Sequence, residues 1–483
     1  MIKEKYFSIF NFFKLHLANP KIQKALLSME VLLCLFIFFT LSGGKGVDWD
    51  ESFTHELVTY NNVLGIISET AADVHPPLYY LIVKLFTVIF GNKLVVYTWA
   101  SIAGGIGCMI LNSTLIYKRF GVWVSGLLNI LFAFAPTVLF YNLNIRMYSW
   151  TLFFCLGCLL FACELMDSNT IFNWIMLFLF SICGVYTQYF AVFPIVSAYI
   201  CLILHFLTHK TWKKFIFLGI VCILNVISFI PWLLYAPNQF KTSGIQQEYI
   251  DNFHFIPTDF FEFACATTLE NIHVMQMVLF FFSIIIFFIV RKDFSPNEQW
   301  FLGTFFFSCL FCFFGSQILA IFGNHFYTWR YIYPIVAFIW IVLTILLTKL
   351  GNMVYIPFCL WSLILCLYSY DHVYEWEYEM TPLLEHTVAF TDANIEDGCV
   401  IVQDYGNFDT LYRFYLPGHE FIHFDELDLS SFEKGETFWF IQLGGSYFTE
   451  GMIDAYGLEI EHFSGFGYMG MVKFELEKVT VTK

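Results

Sequence analysis

Residues 25–58 read ALLSMEVLLCLFIFFTLSGGKGVDWDESFTHELV, an apolar run followed at once by carboxylates. A helix needs roughly 20 apolar residues to cross a hydrocarbon core about 30 Å thick. Residues 25–43 are therefore predicted to span a membrane. The carboxylates of Asp48, Asp50 and Glu51 then begin a loop at the membrane surface. This junction of a spanning helix with an acidic loop indicates the class of fold.

The whole chain has the composition of a membrane protein. Its mean hydropathy is +0.67, and 13% of its residues are charged, whereas a soluble domain carries about 25%. We predict a polytopic α-helical membrane protein with eleven spanning helices. The predicted spans are 25–43, 94–117, 121–141, 148–166, 171–189, 191–208, 214–235, 273–290, 300–322, 331–348 and 352–370.

The positions of the basic residues predict the orientation of these helices. The residues before the first span include five lysines, and positive residues favour the cytoplasmic side. The run 77–90 is too short to span, so we predict that it is an interfacial helix. With that assignment, the remaining basic clusters between spans also lie in the cytoplasm. The loops 44–93 and 236–272 and the segment 371–483 are then extracytoplasmic.

These boundaries define three predicted regions. Residues 1–24 form a cytoplasmic amphipathic N-terminus, 25–370 form the transmembrane core, and 371–483 form an extracytoplasmic domain. The last region holds 22 acidic and 5 basic residues, which argues against nucleic acid as a partner. Its apolar runs and turn residues predict a small α/β domain. The predicted strands are 399–403, 420–424, 436–443 and 468–476, and the predicted helices are 407–416 and 448–456.

Ionisable residues gather on the predicted extracytoplasmic side of the core. They are the carboxylates of residues 48–51, the pair Asp73 and His75, Arg146, and Arg330. Charge near hydrocarbon is costly, so charges tolerated there tend to be functional or paired. A carboxylate such as Asp50 can take a proton from an acceptor hydroxyl. An arginine can hold phosphate oxygens in a forked geometry.

This combination predicts transfer of a sugar from a polyprenyl phosphate to an extracytoplasmic acceptor hydroxyl. The donor is already activated, the leaving phosphate needs little protonation, and the acceptor needs a base. No Gly-rich phosphate loop occurs in the cytoplasmic segments. One alternative is a transporter or flippase of an anionic lipid-linked glycan, for which inverted repeats and charges near the bilayer midplane would be expected. Another is a scaffold whose acidic domain binds a partner.

The same residues carry a resemblance to known enzymes. DES at 50–52 and DVHPPL at 73–78 resemble the first-loop signature of the protein O-mannosyltransferases and their bacterial relatives, which have the glycosyltransferase C fold. RMY at 146–148 and RYIYP at 330–334 resemble later markers of the bacterial branch. The resemblance covers residues 25–370. It includes the aminoarabinose transferases, although this chain lacks their acidic-Lys-Pro form of the second motif.

The resemblance implies an enzyme that uses a dolichyl- or undecaprenyl-phosphate sugar and inverts the anomeric centre. Asp50 and Asp73 then become the candidate catalytic residues. The candidate substrate-binding residues are Glu51, His75, Arg146, Tyr148, Arg330 and Tyr331. No cofactor is certain, but Asp50, Asp73 and His75 could hold a divalent metal ion. Acceptors of this class of enzyme are lipids, glycans or proteins.

Each candidate also has a simpler interpretation. Asp48 and Glu51 suit the first turn of a helix, where acids are favourable. His75 can orient the turn before Pro76 and Pro77, which stop a preceding helix. The two arginines can be interfacial anchors, and Tyr148 and Tyr331 can belong to an aromatic belt.

Overall fold

A computed structural model describes residues 19–243, 257–265, 272–322, 328–379, 393, 395, 398–404, 409–442, 446–463, 468–469, 472–473 and 475–483. The described chain divides by its internal contacts into two compact units. The first unit contains the residues up to Ser42 and Asn61–His372, and the second contains Gly43–Tyr60 and Val373–Lys483. Each unit has its own helices and its own group of charged residues.

The helices, numbered along the chain, belong mostly to the first unit. They are α1 Pro20–Leu41, α2 Trp49–Tyr60, α3 Val63–Ala72, α4 Leu78–Phe90, α5 Leu94–Leu111, α6 Tyr117–Phe120, α7 Val122–Phe134, α8 Val138–Leu143, α9 Tyr148–Asp167, α10 Ile171–Thr187, α11 Val192–Thr208, α12 Trp212–Leu233, α13 Ala236–Ser243, α14 Pro257–Ala264, α15 Ile272–Val290, α16 Pro296–Phe322, α17 Pro334–Lys349, α18 Asn352–Tyr374, α19 Asp409–Tyr415 and α20 Glu450–Tyr456. Short 3-10 turns cover Tyr189–Ala191, Arg291–Asp293, Trp329–Ile332, Phe424–Glu426 and Leu429–Ser431, and π turns cover Asn112–Ile116 and Glu375–Glu379.

The apolar helices confirm the prediction of a polytopic membrane protein. Within the described ranges, eight helices are long and apolar enough to cross a membrane, and each overlaps a predicted span. The other three predicted spans coincide with the shorter apolar helices α7, α10 and α17. The predicted span 121–141 is divided into α7 and α8 at Pro136, because a proline disfavours helical backbone in the residue before it, and Ala135 is extended. The predicted number of eleven spans stays a prediction.

Local sequence signals explain where these helices begin and end. The side chain of Asn19 accepts a hydrogen bond from the Lys21 N–H at 2.9 Å, and Pro20 is the first residue of α1. Asparagine at the N-cap and proline in the first turn are both favoured. Between α6 and α7, Gly121 has φ +83°, which a residue with a Cβ adopts only with strain. One glycine therefore lets the chain reverse between two helices.

The interface of α5 with α9 fixes the start of α9. A Cβ on Gly104 would lie 2.8 Å from the Ser149 carbonyl carbon, so glycine is needed for this close approach. The Ser149 hydroxyl donates to the Ser101 carbonyl at 2.6 Å, and the Trp150 indole N–H donates to the Ala100 carbonyl at 2.7 Å. These contacts hold the residues that closely follow Arg146.

Helix α4 has the length and pattern of the predicted interfacial helix. It contains 13 residues, of which Tyr79, Tyr80, Val83 and Thr87 are buried. Positions spaced by three and four residues share one helix face. Its other face exposes large apolar side chains, including Leu85 and Val88. Its placement at the membrane interface stays a prediction.

The second unit contains a five-stranded sheet. Its strands are β1 Val400–Gln403, β2 Glu420–His423, β3 Thr437–Gln442, β4 Leu458–Phe463 and β7 Glu475–Val481, and Tyr468–Met469 (β5) pairs with Val472–Lys473 (β6) in a separate hairpin. The strand order is β2-β1-β3-β7-β4. Strand β1 runs parallel to β2 and β3, whereas β7 runs antiparallel to β3 and β4. This confirms the small α/β domain.

Alternating side chains of β3 face two hydrophobic clusters. Trp439 and Ile441 belong to one cluster, and Phe438 and Phe440 belong to the other. Successive side chains of a strand point to opposite faces of a sheet, so both faces of β3 are covered. Trp49 packs against the first cluster, which explains why residues 43–60 belong to the second unit. The sequence had assigned those residues to the transmembrane core.

The predicted strands and helices of this domain match the structure unevenly. Strands β1, β2 and β3 and helices α19 and α20 all lie within the predicted ranges. Strand β4 was not predicted, although Leu458 and Ile460 alternate with Glu459 and Glu461. The last strand begins at Glu475 rather than at residue 468, and its interior contains Glu477 and Lys478. In β7, adjacent charged residues interrupt the apolar pattern, whereas β4 begins with the period-two alternation that is typical of a strand.

Candidate active site

Arg146 lies in the turn between α8 and α9 and is 4% exposed. The Arg146 backbone N–H donates to the Asn144 carbonyl at 2.7 Å, which tightens this turn. Its Nη1 donates to the Tyr80 hydroxyl at 3.3 Å, and its Nη2 lies 3.2 Å from Nε2 of His75. The turn after α8 thus meets the residues around the start of α4.

The contact with Arg146 determines the tautomer of His75. A guanidinium is always charged and has only donors, so Nε2 of His75 must accept. The imidazole proton is then on Nδ1, which lies 4.0 Å from Oδ2 of Asp73. The side chains are therefore arranged in the sequence Asp73, His75, Arg146 and Tyr80.

The DVHPPL stretch holds Asp73 and His75 between two helices. The backbone N–H of Asp73 donates to the Glu69 carbonyl at the end of α3. Two prolines follow His75, and α4 begins directly after them, at Leu78. Proline disfavours helical backbone in the residue before it. The prolines therefore separate α3 from α4 and leave His75, which is 8% exposed, in the turn.

Tyr148 belongs to a cluster of three tyrosines. Its ring centroid lies 4.4 Å from that of Tyr141 and 6.4 Å from that of Tyr333. The centroids of Tyr141 and Tyr333 are 4.7 Å apart. This cluster joins the turn of Arg146 to the residue after the Trp329–Ile332 turn.

Arg330 and Tyr331 lie in that Trp329–Ile332 turn, which precedes α17. The backbone N–H of Tyr333 donates to the Arg330 carbonyl at 3.3 Å. The ring of Tyr331 stacks on Phe190 with centroids 4.8 Å apart. Pro334 then opens α17. The two turns that carry Arg146 and Arg330 are consequently joined through one tyrosine cluster.

Asp50 and Glu51 lie in the first turn of α2, in the second unit. Oδ1 of Asp48 accepts from the Glu51 N–H at 2.7 Å, and Oε2 of Glu51 accepts from the Asp48 N–H at 3.1 Å. This reciprocal pair is a capping box. Asp48 and Glu51 thus cap the start of α2, as the simpler interpretation predicts. The substrate-binding role of Glu51 stays a prediction.

A buried ion cluster surrounds this helix start. Lys45 Nζ lies 2.7 Å from Oε1 of Glu51 and 3.4 Å from Oε2 of Glu377. Burial alone would lower the pKa of Lys45, but Glu377 and Glu51 outweigh burial and hold this pKa above its usual value. Burial, followed by Glu51 and Asp50, raises the pKa of Asp48 to about 7. Burial also raises the pKa of Glu377.

Helix α2 packs against α19 within the same unit. The Ser52 and Thr410 hydroxyls are 3.0 Å apart, and Nη2 of Arg413 lies 3.2 Å from a Glu56 carboxylate oxygen. The His55 ring meets Phe414 edge to face at 5.0 Å. Asp50 is thus carried by a helix that is tied at several points to the α/β domain.

The structure groups only part of the predicted set. Asp73, His75 and Arg146 form one chain of contacts, and Tyr148 and the turn of Arg330 and Tyr331 share the tyrosine cluster. The sequence reasoning missed Tyr80, Tyr333 and Lys45. Tyr80 stands just after the HPPL motif, and Lys45 shortly precedes the carboxylates. For Tyr80 and Lys45, the only signal in the sequence was therefore their position next to a motif.

The described residues contain no group of three or more His, Cys, Asp or Glu side chains that could hold a metal ion. The metal site suggested for Asp50, Asp73 and His75 stays a prediction.

The fold and these groups define a polytopic membrane protein with arginines and carboxylates at helix junctions and with an α/β domain. No protein-family model and no curated protein sequence matches the chain. Solved structures do match. ArnT from Cupriavidus metallidurans bound to undecaprenyl phosphate gives a TM-score of 0.58 at 11% sequence identity, covering 94% of this chain and 98% of that chain. The apo structure of the same ArnT gives the same values. The chain has an ArnT-like fold, which confirms the predicted glycosyltransferase C fold.

Proposed function

We propose that the protein transfers a hexose or pentose from a polyprenyl-phosphate carrier to an acceptor hydroxyl. The observation that carries this proposal is the ArnT-like fold over 94% of the chain, because that ArnT was solved with undecaprenyl phosphate bound. The acceptor would be a lipid, a glycan or a protein outside the cytoplasm. By the distribution of basic residues, the N-terminus would be cytoplasmic and the α/β domain extracytoplasmic.

The arginines would bind the phosphate of the carrier. A sugar phosphate diester carries one negative charge, and the released polyprenyl phosphate carries more. Arg146 and Arg330 are permanently charged and can each present two N–H groups to phosphate oxygens. Nε2 of His75 and the Tyr80 hydroxyl contact the Arg146 guanidinium and orient it. Charge that develops on the leaving phosphate would therefore be stabilised in the transition state.

Asp50 would act as the general base. In this step the acceptor oxygen attacks the anomeric carbon, its proton passes to the Asp50 carboxylate, and the bond from the anomeric carbon to the phosphate oxygen breaks. A single displacement of this kind inverts the anomeric centre. The assignment of Asp50, and of Asp73 as its partner, rests on the DES and DVHPPL motifs.

Turnover of a lipid donor tests this proposal. The purified protein in nanodiscs would be incubated with extracellular glycan or membrane-lipid fractions and with synthetic undecaprenyl phosphoryl hexose or aminopentose. Free undecaprenyl phosphate would be quantified by mass spectrometry. We expect release by the wild type and loss of at least about 100-fold for Arg330→Gln, since hydrogen bonds to charged groups contribute about 1.5–3 kcal/mol each. Asp50→Asn should abolish release.

Matched controls are available in the second unit. Arg413→Gln changes a half-exposed arginine, and Asp425→Asn changes a carboxylate that is 84% exposed. Both should keep wild-type release. Full activity of Asp50→Asn would remove Asp50 as the base. A wild type that moves the lipid donor across vesicles without ever releasing undecaprenyl phosphate would instead be a flippase.

One observation favours the flippase as the second candidate. Glu30 lies halfway along the spanning helix α1, and its Oε2 accepts from Nδ2 of Asn129 at 2.9 Å. A carboxylate within a membrane span is costly and often marks a transport pathway. The same hydrogen bond can also simply join α1 to α7. Retention of full sugar transfer by Glu30→Gln, with no lipid movement by the wild type, would exclude transport.

A further inference from the structure

Gln188 is a buried amide at the junction of α10 and the Tyr189–Ala191 turn. The residue is 4% exposed. Its backbone N–H donates to the Gly184 carbonyl at 3.0 Å, and its own carbonyl accepts from the Ala191 N–H at 3.1 Å. The backbone at this position is therefore fixed on both sides.

The side chain of Gln188, unlike its backbone, has no hydrogen-bond partner among the described residues. Both Oε1 and Nε2 are buried. A buried polar group left unsatisfied costs about 1–3 kcal/mol, and an amide has one acceptor and one donor group to satisfy. Methionine has nearly the same shape without this cost. The unpaired amide therefore destabilises the protein without ligand. A ligand that pairs with the amide would explain why glutamine stands at this position.

The surroundings of Gln188 connect it to the proposed donor site. Phe190, two residues later, stacks on Tyr331, which directly follows Arg330. Tyr333, on the same segment, is fully buried, and its hydroxyl also has no hydrogen-bond partner among the described residues. Two unsatisfied polar side chains therefore lie on the two short segments that meet at the Phe190 and Tyr331 rings.

The chemistry of the amide selects between the two parts of a lipid-linked sugar. A phosphate offers only acceptors, so it would satisfy Nε2 and leave Oε1 facing negative charge. A sugar hydroxyl both donates and accepts, so adjacent hydroxyls satisfy both amide atoms. This argument favours the sugar.

We propose that Gln188 is a specificity-determining residue that hydrogen-bonds hydroxyl groups of the donor sugar. This inference rests on the proposed function, because it assumes a polyprenyl-phosphate-linked sugar as the ligand. Arg330 would bind the phosphate, and Gln188 would distinguish the sugar-bearing lipid from the sugar-free carrier. A site built to hydrogen-bond a hydroxyl rejects a ligand that lacks it, because the amide stays unpaired.

Two lipid probes and one isosteric variant test this assignment. Dissociation constants would be measured by native mass spectrometry for undecaprenyl phosphate and for the best-bound member of a panel of synthetic undecaprenyl phosphoryl sugars. The panel would contain a hexose, an N-acetylhexosamine and an aminopentose. In Gln188→Met, affinity for the sugar lipid should fall about 10-fold or more, while affinity for undecaprenyl phosphate stays unchanged. The melting temperature without ligand should stay equal or rise, since an unpaired buried amide is removed.

The control is Gln276→Met, the same substitution at another buried glutamine. Oε1 of Gln276 accepts from the Cys265 thiol at 2.6 Å, and only its Nε2 has no partner among the described residues, so this variant should not change the ratio of the two dissociation constants. If Gln188→Met fails to fold, Gln188→Asn carries the same prediction, because the shorter amide withdraws from the hydroxyls.

The outcomes separate this inference from the proposed function. A wild type that binds both probes, with an unchanged ratio in Gln188→Met, overturns the role of Gln188 and leaves the proposed function standing. A wild type that binds neither probe overturns both. A lowered melting temperature with an unchanged ratio would show that the amide is paired in the free protein and stabilises the turn, which also overturns the inference.

Discussion

Two buried cations of this protein have different partners. In the second unit, Lys45 lies between two carboxylates, and both pairs are almost inaccessible to solvent. In the first unit, Arg146 contacts the Tyr80 hydroxyl at 3.3 Å and Nε2 of His75 at 3.2 Å. The first arrangement neutralises the cation and joins residues far apart in sequence. The second orients a guanidinium through a hydroxyl and an imidazole nitrogen. Residue type alone therefore does not separate a structural cation from a binding one.

Removing Lys45 from between its two carboxylates should have the largest effect on stability. Lys45→Met leaves Glu51 and Glu377 buried without a counter-charge, and breaking a buried pair in this way costs about 3–5 kcal/mol. We expect the second unit to lose that much stability. Hydrogen exchange of the backbone amides in residues 43–60 measures the local free energy of opening.

A triple variant sharpens this result. Lys45→Met combined with Glu51→Gln and Glu377→Gln should regain much of the loss, because no uncompensated charge of the cluster stays buried. Lys434→Met, at an exposed lysine of the same unit, is the matched control and should change little. A loss below about 1 kcal/mol for Lys45→Met would mean that the cluster is not the structural element we describe.

Arg146 should show the opposite pattern, with catalysis lost and the fold kept. Arg146→Gln removes the charge and should lower kcat/KM for release of undecaprenyl phosphate about 100-fold. Arg146→Lys keeps the charge but cannot reach both Tyr80 and His75, so a loss of about 10-fold is expected. The release assay with the lipid donor measures both.

The order of the two Arg146 variants decides between binding and anchoring. An arginine that only anchors the chain at the membrane interface can be replaced by lysine without loss. Equal activity of Arg146→Lys and the wild type would therefore contradict the proposal that the Arg146 guanidinium binds phosphate with two N–H groups. Arg413→Gln, which removes a half-exposed arginine, serves as the reference for a substitution outside the proposed site. Unchanged melting temperatures in all three variants would confine the effect to function.

Hydrophobic length predicted the apolar helices, because it depends on the thickness of the membrane and not on side-chain packing. The sequence predicts Asp73, His75 and Arg146 on one side of the membrane, and the structure brings their side chains together. The RMY and RYIYP motifs singled out the turns that contain Arg146 and Arg330. The partnership of Lys45 with Glu377 was not predictable, since 332 residues separate them. Gln188 carries no charge and matches no motif. Its significance depends on the absence of a partner for its amide within the described chain, which only a folded structure reveals.

The smallest expected effect concerns the carboxylate beside the Lys45 cluster. Because the pKa of Asp48 is raised to about 7, the folded protein keeps a proton that the unfolded chain releases above about pH 4. The stabilisation from this proton is complete below about pH 4 and is lost as the pH rises through 7. The amide introduced by Asp48→Asn would not titrate, and asparagine caps a helix as well as aspartate.

Asp48→Asn should therefore match the wild type near pH 3 and exceed its stability at pH 8 by at least about 1 kcal/mol. Hydrogen exchange of residues 43–60 at both pH values measures the difference. Burial, the largest cause of the raised pKa of Glu377, acts in both proteins and cancels in the comparison. Asp425→Asn, at an exposed position, should show no such trend. A variant less stable than the wild type at pH 8 would mean that the ionised Asp48 is part of the Lys45 cluster. The cluster would then bind its cation with three carboxylates, and the contrast with Arg146 would be larger than we describe.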